Sequence, residues 1–102
     1  EKLVKILRQN NIPLTVCPLS NIKLCVFDRL ENHNLKKMLD AGLRVVVNSD
    51  DPAYFGGYLN TNLIETSKAL NLSIEDIKIL IQNSFKSSFL DENSKKNWLN
   101  KI

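Results

Sequence analysis

Cysteine, glycine and proline are scarce, with two, three and three residues in a chain of 102. Two cysteines, Cys17 and Cys25, exclude a disulfide scaffold and fit a reducing, cytoplasmic setting. The low glycine and proline content excludes collagen-like and low-complexity chains. There is a single histidine, His33, with no second imidazole at helical or strand spacing, so a metal-ligand role for it is disfavoured. No apolar run approaches the roughly 20 residues of a membrane span, and Val45-Val46-Val47 is strand-sized. Charge of one sign is also missing. Fourteen Lys and Arg face 11 Asp and Glu, and the net +3 is scattered, so neither nucleic acid nor membrane is indicated as a partner. The one tight basic cluster, Lys95, Lys96 and Lys101, reads as the solvated face of a terminal helix.

What remains is an ordinary globular mix, 43% hydrophobic and 25% charged, able to form a packed core. Leu3, Val4, Ile6 and Leu7 predict a helix over residues 2–9, and the chain opens at Glu1 already in that rhythm, as a fragment would. After Pro13, Leu14-Thr15-Val16-Cys17 predicts a buried strand stopped by Pro18. Residues 19–32 lack a sustained period and read as a long ordered loop. Asn32 is the expected cap of an amphipathic helix reaching Ala41, with Gly42 as its left-handed stop. Leu43 to Asn48 is β-branched and apolar on both sides, the pattern of a central parallel strand. Helices are expected over residues 62–70, from the capping box at Ser73 to about Ser88 with Ile77, Leu80, Ile81 and Phe85 inward, and from Asp91, docked by Trp98, Leu99 and Ile102.

Strand, crossover helix and strand make a right-handed βαβ unit. Two buried parallel strands need further sheet partners, so the fold class expected is α/β. At about 30–35 residues per βα unit, the chain holds the last two units of a (β/α)8 TIM barrel plus terminal helices, one C-terminal segment spanning 1–102.

Asp50 and Asp51 lie just past the carboxyl end of the second strand, where barrels carry their chemistry. On an extended segment two consecutive carboxylates point apart and can serve a metal and a substrate; the structural alternative is a cap and an ordinary Asp-Pro turn. Ser20 and Asn21 occupy the equivalent place after the first strand, either lining the same mouth or forming a turn. Cys17 is disfavoured as a nucleophile because the only imidazole lies at the far end of the next helix. Gly56-Gly57 lacks the neighbours of a phosphate loop and suggests flexible backbone packing near a ligand. The aromatics Tyr54, Phe55 and Tyr58 suggest a loop folded over something.

The run Leu14-Thr15-Val16-Cys17-Pro18-Leu19-Ser20-Asn21, followed by Lys23-Leu24-Cys25-Val26-Phe27, resembles the seventh-strand region of the adenosine/adenine deaminase family. Val47-Asn48-Ser49-Asp50-Asp51-Pro52 resembles that family's eighth strand and metal loop. The continuation Ala53-Tyr54-Phe55-Gly56-Gly57-Tyr58 is closer to the adenine deaminase branch. The resemblance implies a zinc-dependent hydrolase of purine salvage that turns adenine into hypoxanthine and ammonia, with adenosine as the alternative substrate. It implies zinc as cofactor, Asp50 as a metal ligand and Asp51 as a substrate-binding residue. It further implies that zinc lowers the pKa of a water that attacks C6 while a glutamate moves protons. The family's His-x-His pair, third metal histidine, catalytic glutamate and oxyanion-orienting histidine belong to earlier strands. No catalytic residue therefore falls in this segment, and the rest of the barrel is required. A small free-standing interaction module is the competing reading, favoured by chain length and modest positive charge.

Overall fold

The computed structural model describes residues 1–102. Helix α1 (Lys2–Gln9) leads into strand β1 (Pro13–Val16), helix α2 (Pro18–Lys23) and a single 3-10 turn at Leu30–Asn32. Helix α3 (Leu35–Asp40) and strand β2 (Arg44–Val47) follow, then the short α4 (Pro52–Phe55) and three longer helices, α5 (Leu59–Leu70), α6 (Ile74–Ser87) and α7 (Glu92–Leu99).

The two strands pair in parallel, Val16 opposite Val47 and Pro13 opposite Arg44, and they have no other strand partner. This is the expected βαβ unit, an α/β arrangement whose outer sheet edges stay open. Strand β2 is buried at Val45, Val46 and Val47, as its β-branched run predicts. Strand β1 is less covered than expected: Val16 is buried, but Pro13 and Thr15 are exposed, because one face and one edge of this strand have nothing against them. The core is Val16, Leu35, Leu39, Leu43, Val45, Val47 and Leu80, so α3 and α6 both pack on the sheet. Asn83, also on the inner side of α6, donates to the Val45 carbonyl at 3.0 Å and satisfies a backbone acceptor that β1 does not reach. No helix is long and apolar enough to cross a membrane.

Two local expectations are corrected. Residues 18–23 are helical where a loop was expected: Pro18 sits in the first turn, where a missing N–H costs nothing and its fixed φ suits the helix. Asn32 does not cap α3. Its amide donates to Asp28 at 2.8 Å, and the first amide of α3, that of Leu35, donates instead to Nδ1 of His33 at 3.0 Å. Gly42 takes the left-handed φ of 77° that ends this helix, a conformation open to glycine at little cost.

The C-terminal third follows its sequence signals closely. The Ser73 hydroxyl accepts from the Asp76 amide at 3.0 Å while the Asp76 carboxylate accepts from the Ser73 amide at 2.9 Å, a reciprocal capping box. Asp91 accepts from the amide and hydroxyl of Ser94, and Trp98 stacks on Phe85 at 5.5 Å, docking α7 on α6. Lys101 lies over the Trp98 ring at 4.6 Å, so one of the terminal lysines has an aromatic partner as well as solvent.

Candidate active site

Parallel pairing puts the carboxyl ends of β1 and β2 side by side, so the segments that leave them, 17–21 and 48–58, meet. The ladder runs one bond beyond β2, with the Asn48 amide donating to the Val16 carbonyl at 2.9 Å. The Ser20 hydroxyl then bridges the two segments, donating to Oδ2 of Asp50 at 2.8 Å. Ser20 is only 2% exposed, whereas Asp50 opens to solvent.

Asp50 does not lie on extended backbone. It has a φ of 59°, in the left-handed region that aspartate tolerates better than most residues, so the two carboxylates diverge at a kink instead of along a strand. Its Oδ1 accepts from the Asp51 amide at 2.9 Å. Each carboxylate oxygen thus holds one donor and keeps lone-pair capacity for another partner. Asp51, not Asp50, is the helix cap: its Oδ1 accepts from Ala53 at 3.1 Å and Tyr54 at 3.2 Å, at the start of α4. Its Oδ2 has no partner within this chain, and the residue is exposed.

Cys17 begins α2 beside this pair. Burial pushes its thiol up, and the neighbouring Asp50 charge adds to that, partly offset by a bond from the Asp50 backbone, so the thiol stays protonated and is a poor nucleophile. His33 is 4% exposed, and its Nε2 lies 2.9 Å from Oδ1 of Asn21. Because Nδ1 already accepts from Leu35, the proton is on Nε2, which donates to Asn21. Burial pushes the imidazole below its ordinary value, so His33 is a neutral strut under Asn21. Gly57 is buried against this chain itself where flexible packing near a ligand was expected: a Cβ there would stand 2.7 Å from Cδ1 of Leu19 and 2.9 Å from Cγ2 of Thr61. Tyr54 and Tyr58 face outward, and Phe55 alone tucks partly in, edge-on to Tyr54 at 4.9 Å.

Asn62 had no sequence signal. It is fully buried, accepts from the Leu19 amide at 3.1 Å, and donates to the carbonyls of Gly57 and Tyr58. No group of three or more His, Cys, Asp or Glu side chains gathers anywhere in the chain, so any metal held at Asp50 takes its other donors from outside these residues. One hard, oriented, solvent-facing carboxylate fits such a partial donor set.

Adjacent parallel strands with a hydroxyl, two carboxylates and a buried amide gathered past their carboxyl ends make the kind of rim at which α/β folds bind ligands. The chain belongs to the adenosine deaminase family, whose model matches residues 1–102. It is 60% identical over 94 residues to an adenine deaminase of Crocosphaera subtropica, covering 92% of this chain and 29% of that protein. In three dimensions it is similar to the crystal structure of adenine deaminase from Arthrobacter aurescens, with a TM-score of 0.94 and 45% identity, covering 97% of this chain and 30% of that one. An amidohydrolase from Burkhoderia ambifaria, solved with bound zinc, matches with a TM-score of 0.81 and 25% identity, over 95% of this chain and 28% of that one. The chain thus spans about three-tenths of the length of the relatives it matches.

Proposed function

We propose that the complete protein is a zinc-dependent adenine deaminase. In this reading residues 1–102 are the C-terminal segment of a single (β/α)8 barrel domain, its last two βα units plus terminal helices. The observation that carries it is the 2.8 Å bond from Ser20 to Asp50, which joins the two segments past the parallel strands at a carboxylate with spare lone pairs. Open sheet edges favour a segment of a larger barrel over a self-contained interaction module. The adenine deaminase names of its relatives and the zinc of the Burkhoderia ambifaria neighbour support the substrate and the metal.

In this reading Asp50 is one ligand of the zinc. When bound, zinc supplies the Lewis acidity that makes water a nucleophile near neutral pH. The bonds from Ser20 and the Asp51 amide hold the Asp50 carboxylate in one orientation. Asp51 contacts the purine. With Oδ1 spent on α4, its Oδ2 accepts an N–H from the base, and an ionised carboxylate can only accept, so it selects a ring edge that carries a proton. The substrate is a small purine, with neither nucleic acid nor membrane as partner. The test is ammonia release from adenine and from adenosine by the complete protein, with metal analysis alongside. Release from adenine with bound zinc is expected. Turnover of adenosine alone moves the protein to the other branch, and turnover of neither rejects the reading.

A further inference from the structure

The amide of Asn62 is the only side chain that bonds both segments of the rim through their backbones. Its Oδ1 accepts from Leu19, a first-turn amide of α2 with no intrahelical partner, and Cys17 at the cap position of that helix offers no side-chain bond. Its two Nδ2 protons go to the Gly57 carbonyl at 3.2 Å and the Tyr58 carbonyl at 3.1 Å. Partners on both sides fix the amide orientation, because a flipped Asn62 would set N–H against N–H and oxygen against two carbonyls. Leu19 precedes Ser20, the donor to Asp50, and Gly57 closes the loop that opens at Asp50. The same two points touch a second way, through the Gly57 backbone lying so close to Leu19 that a Cβ would not fit without movement.

We propose that Asn62 is a positioning residue: its buried amide clamps α2 to the Gly57–Tyr58 turn and so fixes the Asp50 carboxylate relative to Ser20. The proposal rests on Asp50 being a metal ligand, and it adds a residue of α5 that bonds neither Asp50 nor Ser20 to the groups that would hold the ion in place. Asn62→Asp is nearly isosteric. It keeps an acceptor for Leu19 but turns a carboxylate oxygen toward two carbonyls, prying the clamp open from one side.

The test uses the complete protein loaded with zinc and follows two readouts: the rate of zinc loss to a chelator, and kcat and KM for adenine separately. Asn62→Asp should lose zinc on the order of 10-fold faster and drop kcat by a similar factor, while circular dichroism shows the native fold. Asn62→Ala, which removes all three bonds without adding a charge, should move both readouts in the same direction, and it decides the matter if Asn62→Asp does not fold. A folded variant that keeps wild-type zinc loss and kcat overturns the clamp. Asp50→Ala run in parallel separates the two claims. If it sheds zinc while Asn62→Asp behaves as wild type, the clamp alone fails; if it keeps its zinc, the metal reading beneath the clamp fails.

Discussion

The segments that leave the two strands solve the same problem in opposite ways. Both turn straight into a short helix through a proline, Pro18 after β1 and Pro52 after β2. After β2 the helix is capped locally and in the open: Asp51 takes the Ala53 and Tyr54 amides itself. After β1 the cap position is Cys17, which contributes no side-chain bond, and an acceptor arrives from Asn62, 43 residues away from Leu19. The first segment, buried at Pro18 and Ser20, is braced by distant partners, Asn62 at Leu19 and His33 behind Asn21; the second is mostly exposed, and the start of its helix is held by Asp51. A local cap survives movement of the rest of the fold, whereas a borrowed one forms only when the tertiary structure does. The carboxylates sit on the locally held segment, and the group that orients Asp50 sits on the braced one.

The sharpest way to break that contrast is to separate the two duties of Asp51. Asp51→Ala removes both the cap and the proposed purine contact, so turnover should fall on the order of 100-fold and stability by about 1 kcal/mol. Asp51→Asn keeps an amide oxygen able to cap, so its thermal midpoint should stay near wild type while turnover falls nearly as far, and both should retain zinc. Steady-state kinetics, metal analysis and thermal melts read all three quantities. Equal melting of the two variants would mean that the cap contributes nothing.

A smaller effect is expected at the braced segment. Ser20→Ala removes one bond to Asp50 without touching a helix cap, so zinc affinity should weaken by about 10-fold with the fold intact, measured by competition with a chelator. If affinity is unchanged, the Asp51 amide alone orients the carboxylate.

Much of this arrangement was written locally. The β-branched run of residues 45–47 and the Ser73 to Asp76 capping box each carry their signal within a few residues and form the strand and the cap expected; the two aspartates are legible only as lying past the end of β2. Helix α2 was missed because its start lacks a Ser, Thr, Asp or Asn cap, and its proline reads equally as a strand stop or a first-turn residue. The caps of α3 and α2 were missed for one reason: a buried histidine nitrogen and a remote asparagine oxygen do the work, and neither leaves a pattern along the chain. Asn83, reaching the Val45 carbonyl from the buried side of α6, is of the same kind. Long-range polar pairing has no period to read.

The smallest expected effect is a pH dependence confined to the braced segment. Burial depresses the His33 pKa below its ordinary value near 6.5, so between the folded and unfolded values the unfolded chain binds more protons. His33 therefore contributes stability that is full above about 6.5 and is lost as pH falls through the lower folded value. Denaturant melts of the complete protein at stepped pH should show a decline across that window that is shallower in His33→Gln. Identical slopes would remove His33 from the brace.

The most direct measurement is zinc content, by elemental analysis, of the complete wild-type protein and its Asp50→Ala variant purified side by side. Metal close to one ion per chain is expected in the wild type. In the variant both zinc and ammonia release from adenine should be lost. Equal zinc in the two proteins would contradict the ligand role of Asp50.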